Sequence, residues 1–207
     1  MMTAPTDFQL DVLKELVNVG VGKAAAALNE MLESHIELEV PSITLFQFEN
    51  LEEDPEGFRD AVVSCVQLRF HGLFNGSAAL VFPPRSAAKL VAALTGEDPE
   101  TPSLNAVMAG TLNEVGNILI NAVIGTIGNM LAKPFDFSLP NYVEGRLEEL
   151  LNPGEQGADL TVLLIRTRFR VQDRQVEGNI FLIFEIGFFD ALMTALEDLG
   201  LPCQANP

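Results

Sequence analysis

Hydrophobic residues recur at the spacing of an α-helix in two long segments of the chain, when successive side chains are placed about 100° apart. In the first segment, one side carries Leu13, Leu16, Val17, Gly20, Ala24, Ala27, Leu28 and Met31. In the second segment, one side carries Leu112, Val115, Leu119, Val123, Ile127 and Met130. Each segment is therefore predicted to be an amphipathic helix whose apolar side covers a core.

The opposite side of each predicted helix is polar. It carries Asp11, Glu15, Asn18 and Gly22 in the first helix, and Glu114, Asn117 and Asn121 in the second. Each helix is thus expected to present to solvent a carboxylate and a carboxamide that lie about one turn apart. On an arbitrary helix such a stripe is usually an ordinary solvated surface, so a further signal is needed before it is given a function.

The two helices open two halves of the chain, residues 8–96 and 105–198, that carry the same order of features. VQLRF at 66–70 aligns with IRTRF at 165–169, NGSAALVF at 75–82 with EGNIFLIF at 177–184, and LVAAL at 90–94 with LMTAL at 192–196. The first two pairs alternate like half-buried strands, and the third pair is typical of a closing helix. Each half is therefore expected to contain a helix, three strands and a helix.

This order of elements predicts an α+β fold, in which long helices pack on a mainly antiparallel sheet. The repeat predicts pseudo-twofold symmetry between the halves, within a single domain that spans residues 1–207. Because the duplication already provides the twofold arrangement that other proteins obtain by dimerising, a monomer is expected.

A proline follows each Glu-x-x-Asn sequence at the same distance. Glu15 and Asn18 precede Pro41, and Glu114 and Asn117 precede Pro140, with 22 residues between the asparagine and the proline in both halves. Only 12 of the 207 residues are prolines, so two matches at one spacing are improbable by chance. Structurally, each proline is expected to fix the entry of the strand that follows the helix.

The net charge of the chain limits the classes of partner that it is expected to bind. It contains 29 acidic and 12 basic side chains, a formal net charge of −17. Nucleic acids and anionic membrane surfaces are disfavoured partners, because both are bound chiefly through Lys and Arg. A protein with an exposed basic group is the partner that this charge favours.

Other common sites are not indicated by the sequence. Cys65 and Cys203 form no C-x-x-C pair and are interpreted as reduced thiols, and His35 and His71 are isolated, so no metal site is predicted. No leader pattern or uninterrupted membrane span is visible, and the cytoplasm is the expected location. GVGKAAAA at 20–27 lacks phosphate-loop spacing, and Gly20, Gly125 and Gly128 are expected to let the helices approach the sheet closely.

The segment from Asp11 to Pro41 reads D-x-x-x-E-x-x-N followed by 22 residues and proline, and it resembles the signature of the CheC, CheX and FliY phosphatases. The second half repeats E-x-x-N-x22-P, and two copies in about 200 residues resemble the CheC type. One departure is Gly110, which stands where the first half has Asp11 and the family pattern has Asp or Ser.

The resemblance implies hydrolysis of the aspartyl phosphate of a phosphorylated CheY-type response regulator. It implies that Glu15 and Glu114 each form a salt bridge with the regulator's active-site lysine, and that Asn18 and Asn117 each position the attacking water. Asp11, Pro41 and Pro140 are expected to support the motif, and the two prolines have no chemical role. No cofactor is expected in this chain, because the regulator would supply Mg²⁺, and the receptor-modifying deamidase CheD is a further expected partner.

Two other interpretations remain open from the sequence. The chain is either a non-catalytic adaptor for phosphorylated regulator, CheD or both, or a structural domain whose Glu-x-x-Asn stripes are ordinary solvated faces. A phosphatase would act substoichiometrically, an adaptor would saturate at one or two regulators per chain, and a structural domain would bind none.

Overall fold

The computed structural model describes residues 7–32, 36–47, 61–97, 102–151, 161–171 and 174–184, together with Ala191 and Ala195. The helices are α1 Asp7–Leu32, α2 Pro84–Thr95, α3 Pro102–Met130 and α4 Leu147–Leu151. The strands are β1 Ile36–Gln47, β2 Val62–His71, β3 Gly76–Phe82, β4 Asp136–Phe137, β5 Asn141–Arg146, β6 Thr161–Val171 and β7 Arg174–Phe184. The expected closing helix at 192–196 falls largely outside the described residues.

All seven strands join one sheet, and every recorded pair is antiparallel. The strand order is β1-β6-β7-β3-β2, and both β4 and β5 pair with the outer side of β2. The predicted α+β class, with helices on a mainly antiparallel sheet, is confirmed. Exchanging β1 with β5, β2 with β6 and β3 with β7 leaves the order of these six strands unchanged, as a twofold relation would require. The second half also contains β4 and α4, so the prediction of three strands was wrong for that half. The symmetry itself stays a prediction.

The larger core lies between the helices and one face of the sheet. Its buried members include Leu16 and Leu28 of α1, Leu119 of α3, and Phe70 and Phe169 of the sheet. A smaller cluster on the other sheet face includes Cys65 and Phe181 and is covered by Leu147 and Leu151 of α4. The burial of the Cys65 thiol raises its pKa to about 12, so the thiol is neutral and unreactive near neutral pH.

The predicted apolar sides of the two long helices are buried except at three positions. Ala27 is exposed, and Met31 and Met130, each in the last turn of its helix, are 41% exposed. Burial of α3 extends further round the helix than the pattern predicted, to Ile120, Ile124 and Thr126. The segment Val107–Met130 is long and apolar enough to cross a membrane by length and composition alone. In this fold its apolar side chains pack against the rest of the core.

The sequence predicted that Gly20, Gly125 and Gly128 would let the helices approach the sheet closely, but the structure shows other contacts for these glycines. A Cβ on Gly20 would lie 2.7 Å from the Cα of Val123, so Gly20 allows α1 to touch α3 and the prediction for Gly20 was wrong. Gly125 has open space around its missing Cβ, and Gly128 lies against Lys133 and Phe135. Gly116 is the α3 glycine that lies against the sheet, at Val66 of β2.

Candidate active site

The first candidate site lies on the exposed side of α1. Asp11, Glu15 and Asn18 are all exposed, as the helical spacing predicted. Lys14 Nζ lies 3.2 Å from Asp11 Oδ1, and both side chains remain largely in solvent. The pair therefore contributes little to stability, but it places a cation one turn before Asn18.

An open pocket between α1 and β1 brings Asn18 and Pro41 together. Lys14 and Asn18 line it from the helix, and Val40, Pro41, Ser42 and Ile43 line it from the strand. Asn18 and Pro41, which the repeated sequence spacing linked, are therefore close together in the fold. It places a carboxamide, an ammonium group and the polar Ser42 at a surface that a partner can reach.

Pro41 does not stand at the entry of its strand, so that prediction was wrong. β1 begins at Ile36, and Pro41 lies inside it, where the pairing with β6 is irregular between Glu39 and Ser42. Proline, which has no N–H to donate, is tolerated at such irregularities of a sheet. Pro140 directly precedes β5, so the same prediction is confirmed in the second half.

The second candidate site lies on α3 and differs from the first. Glu114 is exposed like Glu15, but Asn117 is half-buried, whereas Asn18 is exposed. Asn121 Nδ2 donates a hydrogen bond of 2.9 Å to Asn117 Oδ1. Gly110 is exposed, with open space where a side chain would stand, so nothing there replaces the carboxylate of Asp11.

The strand after Pro140 is tied to α3 by Tyr142, which sequence reasoning did not single out. The Tyr142 hydroxyl donates to Glu144 Oε1 and lies 3.3 Å from the sulfur of Met108 in α3. Burial, and then the hydrogen bond to Glu144, raise the pKa of Tyr142 to about 12. Tyr142 stands two positions after Pro140, as Ile43 does after Pro41, but this spacing carries no signal for the contacts of its hydroxyl.

Of the residues that the sequence set aside, His71 is exposed at the end of β2. His35 and Cys203 lie outside the described residues. Across the described ranges, no group of three or more His, Cys, Asp or Glu side chains is placed to hold a metal ion.

Two protein-family models match the chain in adjacent parts. The model described as "CheC-like family" matches residues 8–45, which include Glu15, Asn18 and Pro41. The model described as "Chemotaxis phosphatase CheX" matches residues 62–161, which include Glu114, Asn117 and Pro140. Both candidate sites therefore lie within matched segments.

Known proteins resemble the chain over most of its length. It is 27% identical over 201 residues to the "CheY-P phosphatase CheC" of Bacillus subtilis, covering 91% of this chain and 93% of that protein. The crystal structure of Thermotoga maritima FliY shares the fold, with a TM-score of 0.73 at 13% identity, covering 95% of this chain and 99% of that one. A CheX chain from the Borrelia burgdorferi CheX–CheY–BeF3–Mg²⁺ complex gives a TM-score of 0.53 at 20% identity, covering 82% and 98%.

Proposed function

We propose that this chain, which belongs to the CheC/CheX/FliY family of chemotaxis phosphatases, hydrolyses the aspartyl phosphate of a CheY-type response regulator. The observation that carries the proposal is the open pocket in which Asn18 of α1 meets Pro41 of β1. To act on the phosphorylated aspartate of a regulator, a carboxamide must lie at a surface that the regulator can reach. The relative described as a CheY-P phosphatase, at 27% identity, supports the same activity.

In this proposal Asn18 and Asn117 place the attacking water. Phosphoryl transfer passes through a loose transition state with the attacking and leaving oxygens roughly in line, so catalysis depends mainly on position and charge. A carboxamide offers one acceptor oxygen and two N–H donors, with which it can hold a water in one orientation. It is no general base at neutral pH, and an acyl phosphate is reactive enough to need none.

Glu15 and Glu114 are proposed to bind a lysine of the regulator. Both carboxylates are exposed on the same helical side as the asparagine three residues later. The net charge of −17 would favour approach of a basic group on the regulator. Mg²⁺ is expected on the regulator, in keeping with the named contents of the Borrelia complex, and no residue of this chain is assigned to it.

The proposal places the protein in the cytoplasm, where a CheY-type regulator would act. CheD remains a further proposed partner, which would use a surface other than the two asparagine sites.

Turnover separates this function from that of a non-catalytic adaptor. We expect one molecule of the protein to accelerate the decay of many molecules of phosphorylated CheY-type regulator, measured by loss of the phosphoryl label with time. Decay that stops accelerating after one or two regulators per chain would instead support the adaptor. An unchanged decay rate, together with no binding of the regulator, would support the interpretation of the chain as a structural domain.

A further inference from the structure

We propose that Asn121 is a positioning residue of the second candidate site and holds the carboxamide of Asn117 in one orientation. The inference rests on the proposed catalytic role of Asn117. It concerns the reaction only through Asn117, since Asn121 itself is not proposed to touch the phosphoryl group or the water.

The hydrogen bond between the two side chains is direct. Asn121 Nδ2 donates to Asn117 Oδ1 over 2.9 Å, and both residues are half-buried. They stand four residues apart, so their side chains lie on the same side of α3. The hydrogen bond holds the oxygen of the Asn117 carboxamide toward Asn121, and this directs its two N–H donors away from that contact. A donor with one fixed direction loses less orientational freedom when it binds water or a phosphoryl oxygen.

The arrangement leaves one polar atom of Asn121 without a partner among the described residues. Asn121 Oδ1 is buried, and no hydrogen-bond partner for it is found within the described part of the chain. An apolar residue at position 121 would avoid this cost, because buried acceptors without a donor are destabilising. Asn113 carries the same cost, so the inference rests on the contact between Asn121 and Asn117 and not on the unpaired oxygen.

The first candidate site has no counterpart of Asn121. In the alignment that pairs Asn18 with Asn117, Gly22 stands where the second half has Asn121, and Gly22 faces open space. Asn18 is exposed and shares its pocket with Lys14 instead. The two sites therefore reach their geometry by different contacts, and a change at position 121 should affect the second site alone.

Asn113 can serve as a control, because it stands four residues before Asn117, whereas Asn121 stands four residues after it. Asn113 is half-buried, and its Oδ1 is also buried without a partner among the described residues. No hydrogen bond is recorded between the side chains of Asn113 and Asn117 in this part of the chain. Asn113→Ala thus removes a similar buried amide without removing the contact to Asn117.

The test isolates each site by inactivating the other. In an Asn18→Ala background, where the second site works alone, Asn121→Ala should lower kcat for phosphorylated CheY-type regulator roughly 10-fold or more, with KM little changed. In an Asn117→Ala background the same substitution should leave kcat unchanged. Asn113→Ala should leave kcat unchanged in both backgrounds. The Asn121→Ala variants should stay folded at the assay temperature, because the substitution removes one side-chain hydrogen bond but also one buried unpaired oxygen.

Three results would overturn the inference while leaving the proposed function intact. The first is an unchanged kcat for Asn121→Ala in the Asn18→Ala background. The second is an equal loss of kcat in both backgrounds, and the third is a loss of the same size in Asn113→Ala. If Asn18→Ala alone abolishes turnover, the proposed role of Asn117 fails, and the inference about Asn121 fails with it.

Discussion

Gly20 of α1 lies against the backbone of Val123 in α3, so closely that a Cβ on residue 20 would be 2.7 Å from Val123 Cα and 3.0 Å from the carbonyl oxygen of Ala122. The two helices that carry the proposed catalytic residues thus touch backbone to backbone. Their relative position depends on the absence of a side chain at residue 20, since neither backbone can move aside without displacing its helix.

Gly20→Ala should therefore destabilise the protein by about 1–3 kcal/mol, because the added methyl group forces α1 and α3 apart. The matched control is Gly22→Ala, two residues along the same helix, where no atom lies within 4 Å of the added Cβ. That substitution should stabilise the protein by about 0.5–1 kcal/mol through helix propensity. Chemical denaturation measures both values, and equal stability of the two variants would contradict the close contact.

In a Glu114→Gln background, Glu15→Gln should weaken binding of the phosphorylated regulator about 10-fold (about 1.4 kcal/mol), because it removes the remaining charge proposed to meet the regulator's lysine. Stability should not change, since the Glu15 side chain is exposed. Glu30→Gln, an exposed glutamate in the C-terminal part of the same helix, is the control for a change in net charge alone. Titration calorimetry with beryllofluoride-activated regulator measures the affinities, and the same loss in both variants would show that only net charge matters.

The ionisation of Tyr142 can be followed without interference, because the chain contains one tyrosine and no tryptophan. Its pKa is raised from 10.0 to about 12 by burial and by the hydrogen bond to Glu144. The folded state therefore favours the neutral phenol, so this group's contribution to stability is fully present below pH 10 and is lost as pH rises toward 12.

A near-ultraviolet titration of tyrosinate absorbance, run together with circular dichroism, tests this expectation. Glu144→Gln should lower the midpoint only part of the way, because burial is the larger cause and remains. Ionisation of Tyr142 near pH 10 in a protein that is still folded would contradict its half-buried, hydrogen-bonded position.

The sequence was most informative where the signal is local and periodic. Glu15 and Asn18 were placed on an exposed helical side correctly, since helical spacing alone determines which residues share a face. The repeated spacing to proline also led to Pro41, which the fold brings to the same pocket as Asn18. Alternation located β2 and β6, but it could not indicate that β6 pairs with β1, because alternation carries no information about the neighbouring strand.

The sequence could not predict contacts between segments that are distant along the chain. The pattern marked Gly20 as a point of close approach, but a missing side chain does not reveal whether a helix or a sheet lies opposite. Asn121 was placed on the polar side of α3, yet its half-burial and its bond to Asn117 depend on how much of that helix its neighbours cover. Pro41 was expected at a strand entry because the irregular pairing of β1 with β6 has no signature within β1 alone.

The most direct measurement is the decay of phosphorylated CheY-type regulator under substoichiometric amounts of the wild type, Asn18→Ala, Asn117→Ala and the double variant. The proposed function requires many turnovers by the wild type, partial activity in each single variant and the intrinsic decay rate in the double variant, with all four proteins folded alike. Undiminished turnover by the double variant would contradict it, because the phosphatase activity would then depend on neither carboxamide.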